Sequence, residues 1–380
     1  MRPALPLLCL IVAAAGCRQV TIIADEISGD SATLPPDTQT ETESESATDS
    51  DTDTGSDTLP GTDSATDTTE TCPLPDTFSW TASELLISPP ADVVSIKDPT
   101  VVLFNDRWYV YATTIDGSNL NMTFFSFADW TGAPAATLTP AGSNDNLTGY
   151  EAAPQLFYFS PDQTWYLVYQ TPEPAYSISR EPGNLQSWSA MTRFMDMPAL
   201  LTDAGDSGID YWVICDDTDC YLFFSALNGI LYRARTTKEA FPDGFEGTTE
   251  IVMEDETLLL HDSSNVYRIA GTDQYLLLVS AIGAVGRYFR AWTAGRLDGD
   301  WTPLADTPEH PFASRLNVTG ADWATDGINH GEMLRRNPDE TMTIDPCHLE
   351  YLFSGLAREN VDTEQTFYGL GLLSPETAGR

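Results

Sequence analysis

Five positions recur along the chain at a near-constant interval, and four of them carry groups that can move protons: Asp98, Pro154, Asp210, Asp262 and His330. They are spaced 56, 56, 52 and 68 residues apart. Read singly, an Asp at such a place is a turn or cap residue. Three at equivalent positions beside an imidazole are a different matter, because like charges held close together cost energy unless chemistry or a cation uses them. Carboxylates facing one another across a pocket are the equipment of glycoside hydrolysis. One, raised in pKa, protonates the leaving oxygen; another, ionised, activates water or attacks the sugar; a third can tune and orient the acid.

The elements that must bring these residues together are strands. From Cys72 onward the chain is a series of short apolar-aromatic runs separated by Gly, Asn, Asp and Pro, with hardly any helical period, which reads as all-β. Each of the five positions opens a run that is followed by a turn and a second, aromatic-rich run. Asp98-Pro-Thr-Val-Val-Leu-Phe precedes Trp108-Tyr-Val-Tyr, for example, and Pro154-Gln-Leu-Phe-Tyr-Phe precedes Trp165-Tyr-Leu-Val-Tyr. An interval of this length holds four short strands, and five such units predict a five-bladed β-propeller. A β-sandwich or barrel with coincidental spacing would not account for what stands at the start of each unit. In a propeller the first strand of every blade lines the central channel, so the openers converge near one end of the axis. Trp108, Tyr150, Tyr211, Tyr288 and Tyr368 are the candidate sugar platforms, although each taken alone reads as core.

The formal net charge of −39, with no Lys/Arg cluster, excludes a nucleic-acid partner and suits a neutral ligand. Residues 1–17 read as a secretory leader, with Arg2, the apolar run Leu5 to Ala15, and Ala14-Ala15-Gly16-Cys17. Small residues before a Cys, followed by a polar tether, resemble the cleavage box of bacterial lipoproteins. The expectation is therefore a secreted protein held by lipid on Cys17 at the cell surface or outer membrane. Residues 18–72 carry 14 acidic residues and one basic one among Thr, Ser, Gly and Pro, which reads as a disordered linker, and 73–380 as the folded domain. Export makes disulfides plausible for the remaining cysteines. Cys215 and Cys220 flank a hairpin-tip composition and would clip one turn, leaving Cys72 to pair with Cys347; a zinc site is the weaker reading, since no CxxC pair occurs. A monomer is expected.

Over roughly residues 76 to 375 the sequence resembles glycoside hydrolase family 62, inverting α-L-arabinofuranosidases that remove arabinose branches from arabinoxylan on a five-bladed propeller. The matching pieces include Lys97-Asp-Pro-Thr, Ala153-Pro-Gln-Leu-Phe-Tyr-Phe, Ile209-Asp, Asn228-Gly-Ile-Leu-Tyr-Arg, Gly286-Arg-Tyr-Phe-Arg, His330-Gly-Glu and Thr341-Met-Thr-Ile-Asp-Pro-Cys. The resemblance implies Asp98 as general base, Asp210 as the residue that raises and positions the acid, and Asp262 as general acid. It also implies Lys97, Gln155, Arg287, Tyr288 and Tyr368 as substrate-binding residues. His330 would hold an axial calcium with waters completing the shell, and Val101, Val102, Leu156 and Phe157 would be blade core. The family usually has Glu at the place of Asp262, a further Glu at Ser280, Arg at Gly369 and Trp at Thr171. The expected polysaccharide partner is arabinoxylan or arabinan; a catalytically impaired propeller that binds arabinoxylan, and an enzyme of another pentoside specificity, remain as alternative readings.

Overall fold

The computed structural model describes residues 72–90, 93–116, 119–325, 327–357 and 367–376. The expected leader, the anchor Cys17 and the linker up to residue 71 lie outside the described residues. Five sheets, antiparallel apart from two short parallel pairings, follow one another along the chain as the blades of a propeller. Blade 1 runs Ser95–Phe104, Arg107–Asp116, Asn119–Phe127 and Thr139–Pro140, and blade 2 runs Ala152–Phe159, Thr164–Gln170, Pro174–Ser179 and Thr192–Arg193. Blade 3 is Ile209–Cys215, Asp219–Ser225, Ile230–Thr237 and Glu250–Glu254. Blade 4 is Asp262–Ile269, Tyr275–Gly283, Gly286–Ala294 and Thr302–Thr307, with short strands added at both edges. Blade 5 starts at Ile328–Met333 and continues through Tyr351–Ala357 and Phe367–Pro375.

Each blade is pressed between two others, so its central strands are apolar on both faces rather than alternating. Leu276, Leu277, Leu278 and Val279 are all fully buried for this reason, as are Val101, Leu156 and Phe157 on inner strands. The hairpin turns are short and polar. Asn105 and Asp106 both adopt positive φ (51° and 56°), the pair of left-handed residues that a tight two-residue hairpin between Phe104 and Arg107 demands.

The last blade is closed by the other end of the chain. Trp80–Ala82 pairs antiparallel with Phe367–Pro375, placing Trp80 opposite Pro375. Trp80 is 1% exposed, packs against Phe78 and Phe312, and donates its indole N–H to the Phe312 carbonyl at 2.7 Å. Cys72 is bonded to Cys347, and Cys215 to Cys220 across the end of the blade 3 hairpin, as expected from the sequence.

Candidate active site

The channel end of every innermost strand is interrupted at the same place. Cross-strand pairing holds at Lys97↔Thr113, Ala152↔Gln170, Ile209↔Ser225, Asp262↔Ser280 and Asn329↔Ser354, then breaks, and resumes at Thr100, Gln155, Trp212, Ser264 and Gly331. A bulge leaves its extra residues unpaired and re-aims their side chains. Asp98, Ala153, Asp210 and Ser263 occupy the bulges with φ of 50°, 46°, 53° and 39°, a left-handed backbone that is costly for residues other than Gly and that collects at functional sites.

The alignment of openers needs a one-residue correction here. Blades 1 to 3 have two-residue bulges and blades 4 and 5 have one-residue bulges, so the partners of Asp98, Asp210 and His330 are Ala153 and Ser263, not Pro154 and Asp262. Asp262 belongs to the preceding layer, level with Lys97. The site is therefore two tiers of charge: Asp98, Asp210 and His330 in one, Lys97 and Asp262 in the other.

Within it, Lys97 Nζ lies 2.9 Å from Asp98 Oδ2, and His330 Nδ1 lies 3.5 Å from Asp98 Oδ1 and 3.9 Å from Asp210 Oδ2. Asp210 Oδ2 accepts from the backbone N–H of Ser263 at 2.9 Å and from its hydroxyl at 3.1 Å. The Ser263 hydroxyl is also 3.3 Å from Asp262 Oδ1. Arg287 Nη1 meets Asp262 Oδ2 at 2.6 Å and reaches the Ser280 hydroxyl at 3.4 Å; His261 Nε2 is 3.8 Å from the same Asp262 oxygen. Asp210 is held from behind as well, its N–H donating to Gln170 Oε1 at 3.2 Å while the Gln170 amide donates to the Tyr150 phenol.

These contacts drive the carboxylates apart. Burial alone would raise Asp98, but the Lys97 ammonium and the His330 imidazole outweigh it and hold the carboxyl well below its ordinary range. Burial raises Asp210, and the Asp262 and Asp98 charges add to it against the pull of His330 and Lys97. For Asp262, burial is outweighed by Arg287 and then His261, so the carboxyl lies below its ordinary value. Burial works against charge on His330, yet Asp98 and Asp210 raise it.

Lys97, Arg287 and Tyr368 stand at this charge cluster; the Tyr368 phenol is raised by burial and sits in the field of Lys97, Arg287, Asp98 and Asp262. Gln155 and Tyr288 do not face it. Gln155 lies beyond the bulge, is fully buried, and spends its amide on Val213, donating to the carbonyl and accepting from the N–H at 2.7 Å each, which ties blade 2 to blade 3. Tyr288 follows Arg287 on a strand, so it points to the opposite face and is 1% exposed inside blade 4. Among the other aromatic candidates, Tyr211 is core, Trp108 pairs with Leu103 at the far end of its hairpin and packs on Trp130, and Tyr150 is 43% exposed beside Gln170.

The sequence did not single out Ser263, Gln170 or His261. Nor did it single out the network beneath the site, where the buried Glu332 accepts from the Thr100 hydroxyl at 2.6 Å and the Val101 N–H at 3.0 Å and pairs with Arg335 at 2.5 Å. Arg335 in turn donates to the carbonyls of Val101 and Leu156, so one ion pair joins blades 5, 1 and 2.

The sequence model of Glycosyl hydrolase family 62 matches residues 79–374. The chain belongs to that family, and it is a glycoside hydrolase fold to its last blade. It is 42% identical over 313 residues to Alpha-L-arabinofuranosidase C of Cellvibrio japonicus (strain Ueda107), a match that covers 80% of this chain and 48% of that protein. The chain thus spans about half the length of this curated relative. The solved catalytic domain of a Coprinopsis cinerea GH62 α-L-arabinofuranosidase superposes with a TM-score of 0.76 at 41% identity, covering 80% of this chain and 98% of that one. The α-L-arabinofuranosidase PaAbf62A from Podospora anserina, solved with cellotriose, gives 0.76 at 37% identity over the same shares. A GH62 hydrolase solved with xylotriose gives 0.75 at 38%, over 79% and 98%.

Two departures from the family pattern have local reasons. A carboxylate at 280 would compete with Asp262 for the Arg287 guanidinium; Ser280 leaves that cation to Asp262. Gly369 backs onto Leu85 and the Ile87 carbonyl so closely that a Cβ there would collide with them.

Proposed function

We propose that the protein is an α-L-arabinofuranosidase that releases terminal arabinofuranosyl branches of arabinoxylan by direct displacement with water. The observation that carries the reading is the pairing of Asp98, kept ionised by Lys97 at 2.9 Å, with a second carboxylate, Asp210, pushed the other way a few ångströms across His330. The lowered Asp98 suits a base, while the raised Asp210 stands beside the acid rather than being it, its Oδ2 held by the Ser263 hydroxyl that also contacts Asp262. Asp98 would take a proton from water on one face of the sugar. Asp262, two blades round the ring from Asp98 with His330 on the blade between, would protonate the departing xylan oxygen on the other face, with inversion. Asp210 positions that acid through Ser263. The relatives solved with xylotriose and cellotriose support a xylan chain lying across this mouth.

A second reading is favoured by one observation: Asp262 has the short side chain and an ion pair with Arg287 that keeps it ionised, so the propeller would bind arabinoxylan and hydrolyse it weakly. Proton NMR of the product released from wheat arabinoxylan separates the two, since it reports turnover, linkage and anomeric configuration together. Release of β-arabinofuranose is expected; binding without release would establish the second reading.

Calcium at His330 is part of the proposal. Its buried Nδ1 makes no hydrogen bond but faces the Asp98 and Asp210 carboxylates at 3.5 and 3.9 Å, so an ion there would need the neutral imidazole, and since the described residues offer no cluster of three protein donors, waters would have to complete the shell. When bound, the ion would supply a fixed positive charge beside Asp98 and Asp210. A rise in melting temperature on adding calcium to chelator-treated protein checks it. We propose further a monomer exported with residues 1–17 as its leader and lipid-anchored at Cys17 on the bacterial surface, which mass spectrometry of membrane-extracted protein tests.

A further inference from the structure

We propose that His261 acts through Asp262 as the proton reservoir of the general acid, an inference that rests on the arabinofuranosidase reading above. Three observations carry it. His261 Nε2 lies 3.8 Å from Asp262 Oδ2, one small side-chain movement from a hydrogen bond. His261 Nδ1 is buried with no hydrogen-bond partner, so Nε2 is the nitrogen through which the ring exchanges protons. The imidazole is 17% exposed, so solvent can recharge it, and its backbone is pinned by an N–H bond to the Ser280 carbonyl at 3.0 Å.

The need for a reservoir follows from Arg287. A carboxylate in a 2.6 Å ion pair carries a proton only rarely near neutrality, yet the leaving xylan oxygen needs one. Burial favours protonation of Asp262, but Arg287 and His261 outweigh it. An imidazole can both take up and release a proton, and a neighbouring carboxylate is its usual partner. The charged groups around it are Asp262 and Arg287 and, behind the preceding loop, the Arg290–Asp255 pair at 2.8 Å, whose Arg290 also holds the Leu259 carbonyl.

The step balances as follows. The imidazolium passes its Nε2 proton to Asp262 and becomes neutral as the sugar enters. Asp262 then gives that proton to the glycosidic oxygen as the bond from the anomeric carbon to that oxygen breaks, its electron pair leaving with the xylan. Water attacks the anomeric carbon and loses its proton to Asp98. After product release Asp98 returns a proton to solvent and His261 takes one up.

The test compares the full chain with His261→Phe and His261→Gln on arabinoxylan and on 4-nitrophenyl α-L-arabinofuranoside, whose leaving group hardly needs the proton. Both variants should lose at least about tenfold in kcat on arabinoxylan near pH 6.5, the low end of what proton transfer contributes, and no more than about threefold on the aryl substrate. The alkaline limb of the arabinoxylan profile should also move to lower pH. An unmoved alkaline limb overturns the proposal. Equal losses on both substrates overturn it in favour of a structural role, and recovery by Gln, which can hydrogen-bond but carries no proton, does so in favour of simple positioning. A parent inactive on both substrates overturns the arabinofuranosidase reading and this inference with it, whereas a fully active parent with unaffected variants overturns this inference alone.

Discussion

Lengthening the acid by one methylene is the most direct test of the site. Asp262 is held at both oxygens, by Arg287 at 2.6 Å on Oδ2 and by the Ser263 hydroxyl at 3.3 Å on Oδ1, and its backbone is fixed by pairing with Ser280. The carboxyl cannot therefore advance by backbone movement without breaking that register. Asp262→Glu moves it outward by roughly one C–C bond, about 1.5 Å. The window for a proton-transferring hydrogen bond is only about 0.6 Å wide, so a shortfall of that size separates an effective acid from an ineffective one. General acid catalysis contributes ~10²- to 10⁴-fold, and even partial recovery should raise kcat on arabinoxylan at least about tenfold. The assay is initial-rate arabinose release at saturating arabinoxylan, with 4-nitrophenyl α-L-arabinofuranoside as control, on which the gain should stay below about threefold. If Asp262→Glu and Asp262→Ala both leave arabinoxylan cleavage at the parent rate, the proton comes from elsewhere and the role given to Asp262 is wrong.

Asp98→Asn should abolish arabinose release while leaving retention on an arabinoxylan affinity gel near that of the parent, because the amide keeps the shape but cannot take the water's proton; turnover at the parent rate would remove Asp98 from the mechanism. Glu332→Ala leaves Arg335 buried without its partner and should cost about 3–5 kcal/mol in denaturant unfolding; a loss under 1 kcal/mol would show that the ion pair does not join the blades. Glu151, whose carboxyl burial pushes up to about 7, favours its neutral form in the folded state. Its contribution is harmless below the unfolded value near 4.5 and turns unfavourable as pH rises from there to about 7, so Glu151→Gln should stabilise by about 2 kcal/mol at pH 8 and by almost nothing at pH 4. Equal melting shifts at the two pH values would contradict this.

The blades were legible because their aromatic strands repeat at an interval long enough for four strands and punctuated by Gly, Asn and Asp. The closing strand was not: Trp80–Ala82 is three residues long, outside the repeat, and it becomes a strand only by lying between Val318–Thr319 and a partner almost 300 residues away. The convergence of Asp98, Asp210 and His330 was legible, because each opens an innermost strand at the same end of its blade. Placement was not legible where register decides. A bulge of one residue rather than two moves Asp262 out of the tier of Asp98, and strand alternation sends Tyr288 inward while its neighbour Arg287 reaches Asp262. Gln155 has the right chemistry for a sugar hydroxyl, but being buried deep between blades 2 and 3 it spends that chemistry on a backbone. Left-handed φ at Ser263 has no sequence signal at all, since serine is not a residue that advertises it.

The bond between Cys72 and Cys347 bears on how the domain meets mechanical force. Any pull arriving along the residues before Cys72 reaches the sulfur bridge first and is shunted to Cys347, 275 residues on. Trp80–Ala82, paired by only three residues to the last blade, is then out of the line of tension. With the bridge reduced, the same pull would fall on that strand, which is held by two pairs to Val318–Thr319 and three to the last blade. The thiol state of a single bridge thus sets whether load is carried by a covalent bond or by a three-residue strand held through its hydrogen bonds to Val318–Thr319 and the last blade.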